Sequence, residues 1–149
     1  MLKAKDVAEW FINWAASDEE SSDLTNMKLQ KLLYYAQGHH LGKYGTPLFS
    51  EQIEAWSHGP VVATVYGMYK DSGSSPVMSK NPQFNWDTFT DEQHNYLATI
   101  WNSYGGFTAA KLRNMTHDEN PWKEKFRENE NRKVIPVTDI AKYFAARAS

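Results

Sequence analysis

Thr25-Asn26-Met27-Lys28-Leu29-Gln30-Lys31-Leu32-Leu33-Tyr34-Tyr35-Ala36-Gln37-Gly38-His39-His40-Leu41-Gly42 reads as one long amphipathic helix, and it sets the fold class. Leu29, Leu32, Leu33, Ala36 and His40 recur at helical spacing on one face. Thr25 supplies an N-cap oxygen, Leu24 before it can staple onto Leu29, and Gly42 is suited to end the helix. Lys28, Lys31, Tyr34 and Tyr35 fall away from the apolar face or along its flanks. Tyrosine rings beside lysines on a solvent-accessible helix suit an interface, where Tyr combines apolar area with a hydroxyl and Lys steers an acidic partner. These four are the candidate partner-binding residues. The competing reading packs Tyr34 and Tyr35 under the loop at 71–82.

Outward from this helix the pattern stays helical. Val7, Trp10, Phe11 and Trp14 form one stripe over 4–16, and an acidic linker of Asp18, Glu19, Glu20 and Asp23 follows. Ile53-Glu54-Ala55-Trp56 alternates like a short strand, after which Val61, Val65 and Met68 resume helical spacing. The stretch 71–82, rich in Ser, Gly and Pro, reads as a surface loop. Thr90 and Gln93 form a capping box for a helix bearing Leu97, Ile100, Trp101 and Tyr104, which Gly105-Gly106 ends. Thr108 caps a short helix with Leu112 and Met115, and Asn120-Pro121 opens another with Trp122 in its first turn. Val134 and Ile135 suggest a strand that Pro136 confines to an edge, and Thr138 opens a last helix with Ile140, Tyr143 and Phe144. The expectation is a mainly α protein: a single compact domain of about six helices with a small β element.

The 149 residues carry six Trp, eight Tyr and seven Phe, more rings than a core of this size requires, so some belong at a surface. There is no cysteine, which excludes disulfides, thiol catalysis and thiolate metal sites. The adjacent His39 and His40 diverge by about 100° on a helix and do not chelate one ion. No metal and no cofactor is expected. A net charge of −2 argues against a generic nucleic-acid binder, and no apolar run approaches the ~20 residues of a membrane span. A soluble cytoplasmic protein with neither nucleic acid nor membrane as partner is the expectation.

Glu54-Ala55-Trp56-Ser57-His58-Gly59-Pro60-Val61 places an aromatic ring and an imidazole before a Gly-Pro break. Gly59 permits backbone angles that other residues resist, and Pro60 would set the first turn of a following helix. Trp56, His58, Gly59 and Pro60 are expected to form a structural corner. A catalytic reading makes Glu54, His58, His117 and Glu119 converge as acid and base. The structural reading, with His58 fixing a turn and His117 a helix start, is preferred: no nucleophile elbow, phosphate loop or dinucleotide fingerprint accompanies them.

Three blocks in order carry a resemblance: Asn26-Met27-Lys28-Leu29-Gln30-Lys31-Leu32-Leu33-Tyr34-Tyr35-Ala36-Gln37, then Glu54 through Val61, then Leu112-Arg113-Asn114-Met115-Thr116-His117-Asp118-Glu119-Asn120-Pro121-Trp122. Together they resemble the Panacea domain, also met as SocA-like and phage-associated GepA-type proteins, over essentially all of residues 1–149. Thr116, His117, Pro121 and Trp122 join the corner as motif positions. The resemblance implies a small, mostly helical antitoxin common in prophages and mobile elements. Such a protein neutralises a toxin, the product of a neighbouring gene, by direct binding and is not an enzyme. The alternative within the same family is a proteolytic adaptor that brings its toxin to an unfoldase and protease.

Overall fold

Helix α2 (Asn26–Tyr44) is buried nearly all the way round. The computed structural model describes residues 1–18, 23–130 and 132–148, and packs five other helices and a small sheet around this rod. Those five are α1 (Ala4–Ser17), α3 (Ala63–Tyr69), α4 (Asp91–Tyr104), α5 (Ala109–His117) and α7 (Val137–Ala145), and the single turn α6 (Asn120–Lys123) packs on α5 and α7. Among the described residues seven helices therefore stand where about six were expected, with single 3-10 turns at Lys70–Ser72 and Trp86–Thr88. The small sheet runs β2 (Gly59–Val61), β1 (Ile53–Trp56), β3 (Lys133–Ile135), with both pairings antiparallel.

The caps follow local chemistry. Thr25 accepts the Lys28 amide, Thr108 accepts that of Lys111, and Thr90 with Gln93 forms the full reciprocal capping box. Four boundaries differ from the sequence reading. α2 passes through Gly42 and ends at Gly45, whose φ of 73° is the left-handed cap. Gly42 serves packing instead: a Cβ there would lie 2.8 Å from the main chain of Phe144. Pro60 does not open a helix. It sits in β2, at the sheet edge, where its missing N–H costs no ladder bond, and α3 starts only at Ala63. Glu119 rather than Asn120 caps α6, and Pro136 rather than Thr138 stands before α7. Pro136 still confines β3 to the other edge of the sheet.

The acidic linker lies partly outside the described residues, at Glu19 and Glu20. Its last member, Asp23, is ion-paired at 2.8 Å to Lys28. The long segment after α3 is tied down by a buried carboxylate. Glu9 accepts from the Tyr69 hydroxyl at 2.5 Å, the Ser79 hydroxyl at 2.5 Å and the Lys80 amide at 3.0 Å. One side chain thus fixes α1, α3 and the loop to each other, with the charge-assisted bonds that a buried carboxylate needs. Among the described residues no helix is long and apolar enough to cross a membrane.

Candidate functional site

The three sequence blocks meet where α2, the β1–β2 hairpin and the α5–α6 corner touch. Trp56 pairs with Gly59 across a two-residue turn of Ser57 and His58. Gly59 has φ 115°, a conformation that L side chains rarely adopt. It also has no room for a side chain, because a Cβ there would sit 2.6 Å from Lys31 Cε and 2.9 Å from Thr116 Oγ1. Lys31 is fully buried beneath this turn and donates its Nζ to the Pro60 carbonyl at 3.2 Å. Its other close neighbour is the Met27 sulfur at 3.6 Å. Desolvation, with the Arg113 cation adding to it, lowers the Lys31 pKa from 10.5 to about 7.

On the α6 side, Glu119 accepts from the Tyr34 hydroxyl at 2.9 Å and the Tyr35 hydroxyl at 2.8 Å. Burial pushes the Glu119 carboxyl above its usual range, and the two phenols pull the other way. Burial and the adjacent carboxylate hold both phenols above 10. The Trp122 indole donates to the Trp56 carbonyl at 2.7 Å and so closes the hairpin onto α6. His117 stacks on Trp122 with centroids 3.8 Å apart and planes within 3°, and Phe126 stacks on Trp122 from a centroid distance of 4.8 Å. Outside, Arg132 lies 4.5 Å from the Trp56 ring centroid, and the Trp56 indole donates to Glu54 at 2.9 Å.

Solvent exposure is where the structure departs from the sequence reading. Lys28, Lys31, Tyr34 and Tyr35 are all buried, at 0, 0, 0 and 1% exposure, so none is a surface contact in this conformation. Tyr34 and Tyr35 do not lie under the 71–82 loop either: they pack on Phe144 of α7, and Tyr35 stacks on Tyr104 at 4.1 Å. The physical reason is that α2 is buried on every side over residues 28–38. Its polar side chains serve as posts for the main chain of the surrounding segments. Lys28 donates to the Gly105 carbonyl at 2.6 Å, and Asn26 to that of Tyr66. Gln30 accepts the Val62 amide. Gln37 donates to the Phe49 carbonyl and accepts the amides of Leu48 and Phe49. Asn26, Gln30, Gln37 and Glu9 were absent from the sequence candidates. The available signal was amides at positions that an apolar helix would fill with Leu.

Among the described residues the four acid–base candidates do not assemble. Glu54 is bonded to Trp56, Glu119 to the two phenols, and His58 is exposed in the turn beside Ser57. His117 is held flat against Trp122 with its Nε2 buried and unpaired. None of the four bonds another, and among the described residues no group of three or more His, Asp or Glu could hold a metal ion. His39 is half-buried with its Nε2 2.6 Å from the Tyr104 hydroxyl. The arrangement ties buried side chains to the main chain of neighbouring segments.

The family model described as "Antitoxin SocA-like, Panacea domain" matches residues 29–123, a span that contains nearly all of this junction. The chain belongs to that family. It is similar to Antitoxin SocA of Caulobacter vibrioides, at 35% identity over 79 residues. That segment is 53% of this chain and 41% of the relative, so the match spans well under half of the relative's length. No solved structure matches the chain.

Proposed function

We propose that this SocA-like Panacea domain is a non-catalytic antitoxin that neutralises a cognate protein toxin by binding it directly. The observation that carries the reading is the family match over 29–123. Within that segment Lys31, Glu54 and Glu119 are each engaged in internal bonds. What remains for recognition is the surface, which keeps part of the aromatic surplus: Tyr44, Trp86 and Phe107 are all exposed. Tyr and Trp supply rigid contact area at low entropic cost, the usual anchors of a protein interface. The partner is the product of a neighbouring gene, carried with this one on a prophage or other mobile element, and the two meet in the cytoplasm.

The test is co-expression. The neighbouring small gene product alone should stop growth, and this chain should restore it while the two co-elute as one complex. A neighbour that is harmless alone, or that stays toxic in the presence of the folded chain, overturns the reading.

A further inference from the structure

A cleft of about 770 Å³ opens between α2, α4 and the end of α7, away from the hairpin junction. Its α4 wall runs from Glu92 to Tyr104, about 18 Å at the helical rise. Asn95, Thr99 and Ser103 repeat along that wall every four residues, so small polar side chains form one exposed stripe. The facing walls are aromatic. His39 and Tyr44 come from α2 and Phe144 from α7, with Tyr104 closing the floor end. Tyr44 is 52% exposed, although it lies in ring contact with both His40 and Tyr96.

Two cations sit on the rim, and neither has an ion-pair partner among the described residues. Lys43 Nζ is 5.2 Å from the Tyr44 ring centroid, and Arg147 lies 3.6 Å over Tyr143 with Nη1 bonded to the Tyr143 carbonyl. Arg147 feels the buried Glu119 carboxylate at longer range. Among the described lining residues Glu92 is the lone carboxylate. A groove about three helical turns long, with an aromatic wall, a small-residue wall and two cations on its rim, has the shape and charge of a seat for a helix.

We propose that this cleft is the toxin-binding groove, and that its occupant is an acidic amphipathic helix of the toxin. The helix lays its apolar side chains on His39, Tyr44 and Tyr104, with small side chains of α4 allowing close approach. Its carboxylates meet Lys43 and Arg147. This rests on the antitoxin reading above.

Because the chain has no cysteine, Ser103→Cys introduces a single thiol inside the cleft, and Ser75→Cys places one on the remote loop as control. Alkylation of the full-length variants is followed with and without the co-expressed toxin. Complex formation should slow labelling severalfold at position 103 and leave position 75 unchanged. In parallel, Lys43→Glu with Arg147→Glu should weaken toxin binding about tenfold or more, with the loss shrinking at high salt. If wild type neutralises the toxin while position 103 stays open in the complex, the cleft assignment is overturned and the antitoxin reading stands. If wild type does not bind the toxin at all, both fall. The labelling arm stands even if the charge-reversed variant does not fold.

Discussion

Lys31 Nζ meets the Pro60 carbonyl at 3.2 Å in a place that solvent does not reach, beneath a glycine that has no space for a methyl group. A basic side chain, a proline carbonyl and a left-handed glycine thereby become one packing unit. Each of the three explains why the other two are there.

The first expectation concerns pH. The folded Lys31 pKa is lowered from 10.5 to about 7, so between those values the unfolded chain holds a proton that the folded chain does not. Stability therefore rises with pH across that window. From pH 7 to 9 the gain from this group is about 2 kcal/mol. Denaturant titrations should show the rise in wild type and its loss in Lys31→Met. A wild-type stability that is flat from pH 7 to 9 would show that the amine reaches water.

Gly59→Ala should destabilise the protein by about 2 kcal/mol or more, combining the strain of φ 115° with overpacking against Lys31 and Thr116. Thermal unfolding reads it directly. A melting temperature within a degree of wild type would contradict the geometry of the turn.

Two phenols donate to the buried Glu119 carboxyl. Removing one, as in Tyr34→Phe or Tyr35→Phe, should cost about 1–2 kcal/mol at neutral pH, and removing both should cost more than the sum. Since burial already holds the Glu119 pKa above 4.5, stability from this group falls as pH rises from 4.5 through the folded value. In the double variant that fall should extend to higher pH. Urea titrations of all four proteins at pH 5 and pH 7 provide the comparison.

Gln37→Leu exchanges an amide for a more apolar side chain of similar size, yet it should cost about 3 kcal/mol. It orphans the Phe49 carbonyl and the Leu48 and Phe49 amides together. An equally stable variant would mean that water replaces the amide at that post.

The helical frame was legible because its signals are local. Thr25, Thr90 and Thr108 cap by reaching three residues along the chain, and the β element announces itself in the alternation of Ile53 to Trp56. The burial of α2 was not legible. A two-faced reading assumes that lysines and tyrosines seek water, and here Lys28, Lys31, Tyr34 and Tyr35 find carbonyls and a carboxylate instead, each from a distant segment. The break at Gly59-Pro60 was recognised, but its outcome was not. A strand edge and a helix start both tolerate proline, and only the pairing with Ala55 decides between them. The cleft escaped for a related reason: His39, Tyr104 and Phe144 come from three helices with no common motif.

The bond from the Trp122 indole to the Trp56 carbonyl joins residues 66 apart, and those from Tyr34 and Tyr35 to Glu119 join residues 85 and 84 apart. During synthesis at about 5–20 residues per second, the hairpin thus waits several seconds after it emerges before α6 arrives to close it. Local helices form early, whereas the junction forms only once most of the chain has left the ribosome. A chain that stops before α6 carries the Tyr34 and Tyr35 phenols without their acceptor and the Trp56 carbonyl without its donor. The lock at the hairpin is in that sense a completion check: the chain becomes a finished domain in one late step.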